Sequence, residues 1–401
     1  MKNAIKLLGI FAITVIIIFS LTAFSCDGGE EGDFRSLFSG IFGGSNDEDS
    51  DNEISAGTAE EIETDEENGE ESGGFFSRLF GGLRSEGSHS SGGLFSRITG
   101  SSGGSNWIAI TDQPFKENSV CSIVWGKDKF VAGGAGGIIA YSTDGISWTA
   151  VTDSTFGRSS INKVAYGNNR FVAVGGDGKM AYSADGIKWT AVSNPPFGRF
   201  SIGSIVYGGN KFVAGNSEGR MAYSADGITW TVVTESTFGR DRVINITYGN
   251  NKFLAGGGGA HLAYSEDGIK WSVVADCGFK SGAVYDIVWG GNKFVLVGDS
   301  GQISYSSNGL NWTAVKNSTF GYNGVFHIAW GGGRFVAAGE SVNRADVIGY
   351  MAYSMDGITW TGMPESISIF GDENFYMYSI TWGDNKFVAG TTHGRMGYWQ
   401  P

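Results

Sequence analysis

From Trp107 to the end of the chain, apolar and polar positions alternate in short runs, and each run is bounded by Gly, Asn or Asp. Alternation at period two, rich in Val, Ile, Phe and Tyr, is the pattern of a half-buried strand, and the bounding residues are those that tight turns require. Residues 163–192 show the plan in one pass. KVAYG predicts a strand, NN a turn, RFVAVGG a second strand, DGK a turn, MAYSA a third strand, DG a turn and IKWTAV a fourth. The unit is a four-stranded meander. The 66 glycines against 5 prolines fit many tight turns and argue against a bundle of long helices.

The meander repeats. Its first strand recurs as SIVWG at 122, KVAYG at 163, SIVYG at 204, NITYG at 245, DIVWG at 286, HIAWG at 327 and SITWG at 379. Tryptophans at 148, 189, 230, 271 and 312 follow at steps of 41 residues, and Trp360 follows after 48, the extra residues lying in GESVNRADVIGYM (339–351). Seven four-stranded units of this length are the signature of β-propeller blades. The expected fold is all-β: a seven-bladed propeller over residues 106–401. The last unit stops after its third strand, and NWIAIT (106–111) matches the fourth-strand pattern, so the N-terminal strand is expected to complete the last blade. Cys121 opens the first blade and Cys277 lies between the fourth and fifth. A disulfide needs Cα atoms within roughly 7 Å, so both are expected to stay unpaired.

Charge divides the chain further. Residues 26–105 hold 18 acids against 4 arginines, a net of −14, whereas residues 106–401 hold 23 acids against 22 Lys and Arg, a net of −1. The first of these segments, rich in Gly, Ser, Glu and Asp, reads as a disordered tether. Three apolar islands interrupt it: SLFSGIFGG (36–44), GFFSRLFGG (74–82) and GLFSRITGS (93–101). They read either as remnants of a duplicated linker or as short motifs for a partner or a membrane surface. Residues 1–25, with Lys2, Lys6 and an apolar run from Leu7 to Phe19, have the layout of an export signal. Ala23-Phe24-Ser25-Cys26 resembles the lipobox of bacterial lipoproteins, of the relaxed kind found in spirochaetes. It departs from the pattern at Phe24, where a small residue is usual, and at Ala23, where leucine is common. The resemblance implies a lipid on Cys26 and attachment to a bilayer in the cell envelope. Plain cleavage and an uncleaved anchor are the alternatives, and all three readings export the domain. The near-neutral propeller argues against a nucleic-acid partner.

The turn between third and fourth strands has the form S-x-D-G-x-x-W. It is carried by Ser142, Asp144 and Trp148; by Ser183, Asp185 and Trp189; by Ser224, Asp226 and Trp230; by Ser265, Asp267 and Trp271; and by Ser354, Asp356 and Trp360. The fifth copy has Asn308 in place of the acid. This pattern resembles the Asp-box, or BNR repeat, of sialidases and of many non-enzymatic propellers. A short Asp accepts amides of its own turn, glycine supplies positive φ, and tryptophan packs the outer strand. Six copies mark a structural staple rather than a reactive site. The resemblance places these turns on the face opposite the one that propeller enzymes of this type use.

On that other face a Phe recurs in every inter-blade loop, at 115, 156, 197, 238, 279, 320 and 370, as a wedge between blades. Beside it vary polar residues. Arg158, Arg199 and Arg240 lie in consecutive junctions, joined by Lys179, Arg220 and Arg242, with Arg344 in the insertion. This set is the candidate site for an anionic glycan or an acidic protein segment, because guanidinium groups bind carboxylate and sulfate bidentately. The bland alternative is a solvated rim, and a third reading has the acidic tether folding back on it. A sialidase would need a Phe-Arg-Ile-Pro-type segment, which the chain lacks. Other propeller glycosidases use paired carboxylates, and nothing selects a pair among Asp177, Glu218, Asp299, Glu340, Asp346 and Asp372. His261, His327 and His393 have no metal-ligand spacing, and the glycine runs open no helix, so no metal or cofactor is expected. The expectation is an exported, monomeric, non-enzymatic binding module; a glycoside hydrolase and an envelope assembly or scaffold factor are the alternatives.

Overall fold

The computed structural model of the chain describes residues 107–340, 351–370 and 376–401. The export-signal region, the acidic segment with Cys26, the insertion with Arg344 and Asp346, and Asp372 lie outside the described residues.

The described residues form 28 strands in seven four-stranded antiparallel sheets. Blade 2 shows the common plan, with strands Ile161–Gly167, Arg170–Gly175, Met180–Ser183 and Thr190–Ala191 in chain order across the sheet. Its first hairpin turns on Asn168 and Asn169, both at positive φ. This is the type I′ conformation, whose twist matches that of the flanking strands and which Asn, Asp and Gly tolerate best. Blade 7 is completed from the other end of the chain. Ile108–Ile110 pairs outside Met396–Trp399, with Ile108 opposite Tyr398, Ala109 opposite Gly397 and Ile110 opposite Met396. Trp107 packs at 5.5 Å from the Phe370 ring and 6.2 Å from Trp399.

Apolar surface is buried between blades rather than within them. Val213 and Met221 of blade 3, for example, share a core with Val243, Ile246 and Phe253 of blade 4, and Phe238 of the connecting loop completes it. All seven loop phenylalanines are buried, each in one such inter-blade core. The junction into blade 7 differs in that a single helical turn, Ser366–Phe370, delivers the wedge.

The first strand of each blade ends in Tyr-Gly or Trp-Gly, and packing explains the pair. A Cβ on Gly126 would fall 2.2 Å from the Tyr166 ring of blade 2, one on Gly249 2.2 Å from Trp289 Cβ of blade 5, and one on Gly383 2.4 Å from Trp125 of blade 1. Each glycine is the hole for the next blade's aromatic knob, and the contact runs round the ring from blade 7 back to blade 1. The first strands are therefore innermost, each beside the first strands of both neighbours around a central channel.

Two stability measurements test this closure. Gly249→Ala, which forces a Cβ into Trp289, is expected to cost roughly 2 kcal/mol in denaturant unfolding. Gly258→Ala, where no atom lies within 4 Å of the added carbon, serves as the near-neutral control. A chain that begins at Asp112 lacks the closing strand and is expected to melt well below the chain that begins at Trp107; equal melting would overturn the closure.

Candidate functional site at the channel mouth

The two faces of the ring are built differently. On one, Lys127 and Lys129 of blade 1 donate to the carbonyls of Ala184 and Asp185 at 2.8 and 2.9 Å, so first hairpins lie beside the S-x-D-G turns of the next blade. On the other, Ser154 Oγ donates to the Gly137 carbonyl at 2.6 Å and Lys179 Nζ to the Phe156 carbonyl at 2.7 Å, which joins the second turns to the inter-blade loops.

The S-x-D-G-x-x-W turns are closed hydrogen-bond units. Ser142 Oγ donates to Asp144 Oδ1 at 2.8 Å and accepts the Gly145 amide at 2.8 Å. Asp144 Oδ1 accepts the Ile146 and Ser147 amides, both at 2.8 Å, and Trp148 Nε1 donates to the Gly145 carbonyl at 3.2 Å. Asp185, Asp226, Asp267 and Asp356 accept in the same way. Asn308 holds the amides of Leu310 and Asn311 at 2.9 and 3.0 Å. Burial raises the Asp144 carboxyl, but the amides of Ser147 and Ile146 and the Ser142 hydroxyl outweigh it and bring it down to about 2. Every Oδ1 of the set is occupied by its own turn, so these residues hold the fold.

Of the cations on the opposite face, Arg158, Arg199 and Arg240 are exposed on consecutive junction loops. The Lys179 ammonium is committed to the Phe156 carbonyl. Exposed Arg220 places its guanidinium 5.5 Å from the Phe200 ring. Arg242 turns inward and lines a cavity.

That cavity, of about 70 Å³, sits at the mouth of the central channel. It owes its lining to a β-bulge at the start of every first strand. Pairing slips between Val120 and Ser122 in blade 1, between Ile161 and Lys163 in blade 2, and at the equivalent place in the other five. The bulged residue and the one after it face the channel together. These two positions contribute from all seven blades: Cys121; Asn162 and Lys163; Gly203; Ile244 and Asn245; Tyr285; Phe326 and His327; Tyr378. Within the first strand they are the least repetitive positions.

The lining has two halves. Blades 5 to 7 supply an aromatic arc, with Tyr285 at 4.9 Å from Phe326, Phe326 at 5.5 Å from Tyr376, and Tyr376 stacked 6.2 Å from Tyr378. Burial, then the neighbouring Tyr376, pushes the Tyr378 hydroxyl up to about 12, so it stays a neutral donor. Blades 2 to 4 supply Asn162, Lys163, Arg242 and Asn245. Beneath them Asp286 accepts Asn245 Nδ2 at 2.7 Å, the Ile287 amide at 2.9 Å and the Ile328 amide at 3.0 Å, and lies 3.4 Å from His327 Nδ1. Burial raises Asp286, but the His327 hydrogen bond, Lys163 and the Ile328 amide hold it low. Burial lowers His327 more than Asp286 raises it, so the imidazole is neutral near neutral pH.

The other expected candidates have structural partners. Asp177 accepts the Ser159 hydroxyl at 2.6 Å, Asp299 accepts the Ala283 amide at 2.6 Å and the Tyr285 hydroxyl, and Glu340 accepts the Gly324 amide at 2.8 Å. The Glu218 amide is bound by Asn216 Oδ1 at 3.0 Å. His261 stacks on Phe238 at 4.4 Å, and His393 is exposed. One expectation is corrected. Cys277 is free and buried, but Cys121 is disulfide-bonded, to a partner outside the described residues. As the bulged residue of blade 1, Cys121 faces the channel mouth, where a segment from outside the blades can reach it, whereas Cys277 is enclosed in an inter-blade core.

The fold and its mouth define a seven-bladed β-propeller with a side-chain-lined cavity on the inter-blade-loop face. No family model and no curated protein sequence matches the chain. Solved structures do. YCF48 from Cyanidioschyzon merolae is 16% identical with a TM-score of 0.58, over 74% of this chain and 98% of that one. A structure of YCF48 bound to D1 peptide has 16% identity and a TM-score of 0.59, over 74% and 95%. A catalytically inactive variant of virginiamycin B lyase from Staphylococcus aureus, with quinupristin, has 12% identity and a TM-score of 0.59, over 74% and 98%. At these identities the likeness is one of fold.

The turn chemistry gives a pH test. The depressed carboxyls stabilise the fold above their unfolded value of about 3.9, and that contribution is lost as pH falls toward about 2. Asp144→Ala is expected to cost about 1 kcal/mol at neutral pH. Asp144→Asn, which copies the Asn308 turn, is expected to cost less and to flatten the acid limb of the unfolding curve.

Proposed function

We propose that the protein is an exported binding module whose propeller takes a short segment of a protein partner at the channel mouth, and that it is not a hydrolase. The observation that carries this is the convergence of the non-repeating bulge positions of all seven blades on one cavity. A repeat preserved for packing alone has no need of six kinds of residue among the seven blades at one ring position. The cavity admits a side chain or two rather than a whole ligand, since a water-sized probe needs roughly 10–15 Å³; the remainder of the segment would lie across the exposed loops with Arg158, Arg199 and Arg240. Asp286, Asp299 and Glu340, carboxylates near the mouth, hold backbone amides, a role that leaves them poorly placed as an acid–base pair. YCF48 bound to D1 peptide is a precedent for a propeller of this shape taking a peptide. The export signal supports delivery out of the cytoplasm, with the acidic segment as spacer, and an assembly factor of the cell envelope is the kind of module this describes.

Panning a library of short random peptides on the folded domain tests the reading, against a glycan array scored for both retention and sugar release. Retained peptides are expected to be lost on Gly203→Trp, which fills the cavity from a position where an added Cβ meets only the Val243 carbonyl at 3.3 Å. Peptides indifferent to that plug, or sugar release in place of peptide binding, would sink it.

A further inference from the structure

The mouth is chemically lopsided, and the lopsidedness extends from the cavity to the rim. On the side of blades 2 to 4, Lys163 and Arg242 line the cavity, and Arg158, Arg199 and Arg240 occupy the third position of the Phe-Gly-Arg loops leading into those blades. On the side of blades 5 to 7 the cavity wall is Tyr285, Phe326 and Tyr378. Tyr322, 85% exposed, stands on the loop into blade 6 at the position held by arginine in the other half.

Lys163 stands apart from the other cations of this face. At the same ring position Ser122, Ser204, Asp286 and Ser379 each accept an amide of the following blade, at 3.0, 2.8, 3.0 and 2.7 Å. A lysine cannot accept, so Lys163 makes no such bond. Its neighbour Asn162 links the two blades in another way, donating to Ser201 Oγ and to the Ile202 carbonyl, both at 3.0 Å. Among the described residues no ion pair engages the Lys163 ammonium. Asp286, whose charge Lys163 stabilises, already accepts three hydrogen bonds. A cation released from the structural task of its ring position, in a cavity wall facing aromatic rings, is placed to meet a ligand anion.

We propose that the ligand is a bipolar peptide segment laid across the mouth in a fixed direction: an acidic side chain seated at Lys163 on the side of blades 2 to 4, and an aromatic or aliphatic side chain against Tyr378, Phe326 and Tyr322 on the side of blades 5 to 7. This rests on the peptide-binding reading and adds its chemistry and polarity. The acid is desolvated on one side by the cavity, which strengthens its attraction to the lysine relative to open solvent. The apolar end gains from burial against Phe326 and Tyr378, rings that are already packed and lose little freedom. The exposed arginines of the first half add long-range attraction that salt screens.

The test uses the peptides retained from the random library. They are expected to share an Asp or Glu at a fixed spacing and order from a large apolar residue. Changing that acid to its amide is expected to weaken binding about tenfold to the native domain and less than about twofold to Lys163→Ala. The apolar residue, changed to Ala, should couple in the same way to Tyr378→Leu and not to Lys163→Ala. Panning Lys163→Glu should replace the acid with Lys or Arg at the same spacing, a readout that a merely destabilised variant does not produce. Retained peptides with no acidic preference, or with an acid that fails to couple to Lys163, overturn the bipolar ligand while leaving peptide binding intact. A failure to retain any peptide overturns both.

Discussion

Each first strand has one edge paired to its own sheet and another that faces the channel with no strand to pair with. A buried edge of this kind carries amides that must find acceptors, and the ring is organised around that need. Four blades answer it with the residue after the bulge, Ser122, Ser204, Asp286 or Ser379, which accepts the amide of the next blade's Val164, Ile246, Ile328 or Ile123. The bulge makes this geometrically available, because it turns the accepting side chain toward the neighbour. Where the accepting residue is missing, a bond of another kind links the neighbouring blades. Asn162 bridges blades 2 and 3, Asn245 reaches Asp286 across blades 4 and 5, and Glu340 of blade 6 bridges to Tyr376 at the entry to blade 7. The same two ring positions therefore stitch the ring and line its mouth, and a blade relieved of the first duty is free for the second.

The division of labour between the faces follows. One face repeats because its turns satisfy themselves: the serine of each S-x-D-G-x-x-W unit bonds the acid or Asn308 and the glycine amide, and at four of the turns a lysine or arginine of the preceding blade donates to the Asp carbonyl from outside. Asn308 keeps the bonds without the charge. On the other face, loops need only deliver a phenylalanine to the inter-blade core, so the residues around it vary at little cost to the fold.

Much of this was legible in the sequence, and the rest was hidden for definite reasons. The 41-residue period and the turn residues announce seven blades, and NWIAIT announces the closing strand. The Tyr-Gly and Trp-Gly pairs are plain as a pattern, but their meaning lies between blades, where each glycine receives the next blade's ring. The cavity was missed because a strand read at period two sends adjacent residues to opposite faces. Cys121-Ser122 and Asn162-Lys163 escape that rule through the bulge, which no residue type in those pairs signals. The one available clue was variability: positions two and three of the first strand change from blade to blade while the rest of the strand repeats. The rim arginines drew attention by charge, yet only Arg242 reaches the cavity, and Lys179 is spent on a loop carbonyl. The Cys121 disulfide was invisible because the blade-to-blade separation that rules out Cys277 says nothing about segments outside the ring.

The strand that closes the ring is also the first described part of the chain, directly after the long acidic segment. Three residue pairs, Ile108 with Tyr398, Ala109 with Gly397 and Ile110 with Met396, together with the seating of Trp107, hold it in place. The other six blades are continuous through all four of their strands, so this seam is the single place where the circle was joined, and loosening a handful of pairs there opens the ring while it leaves every other blade whole.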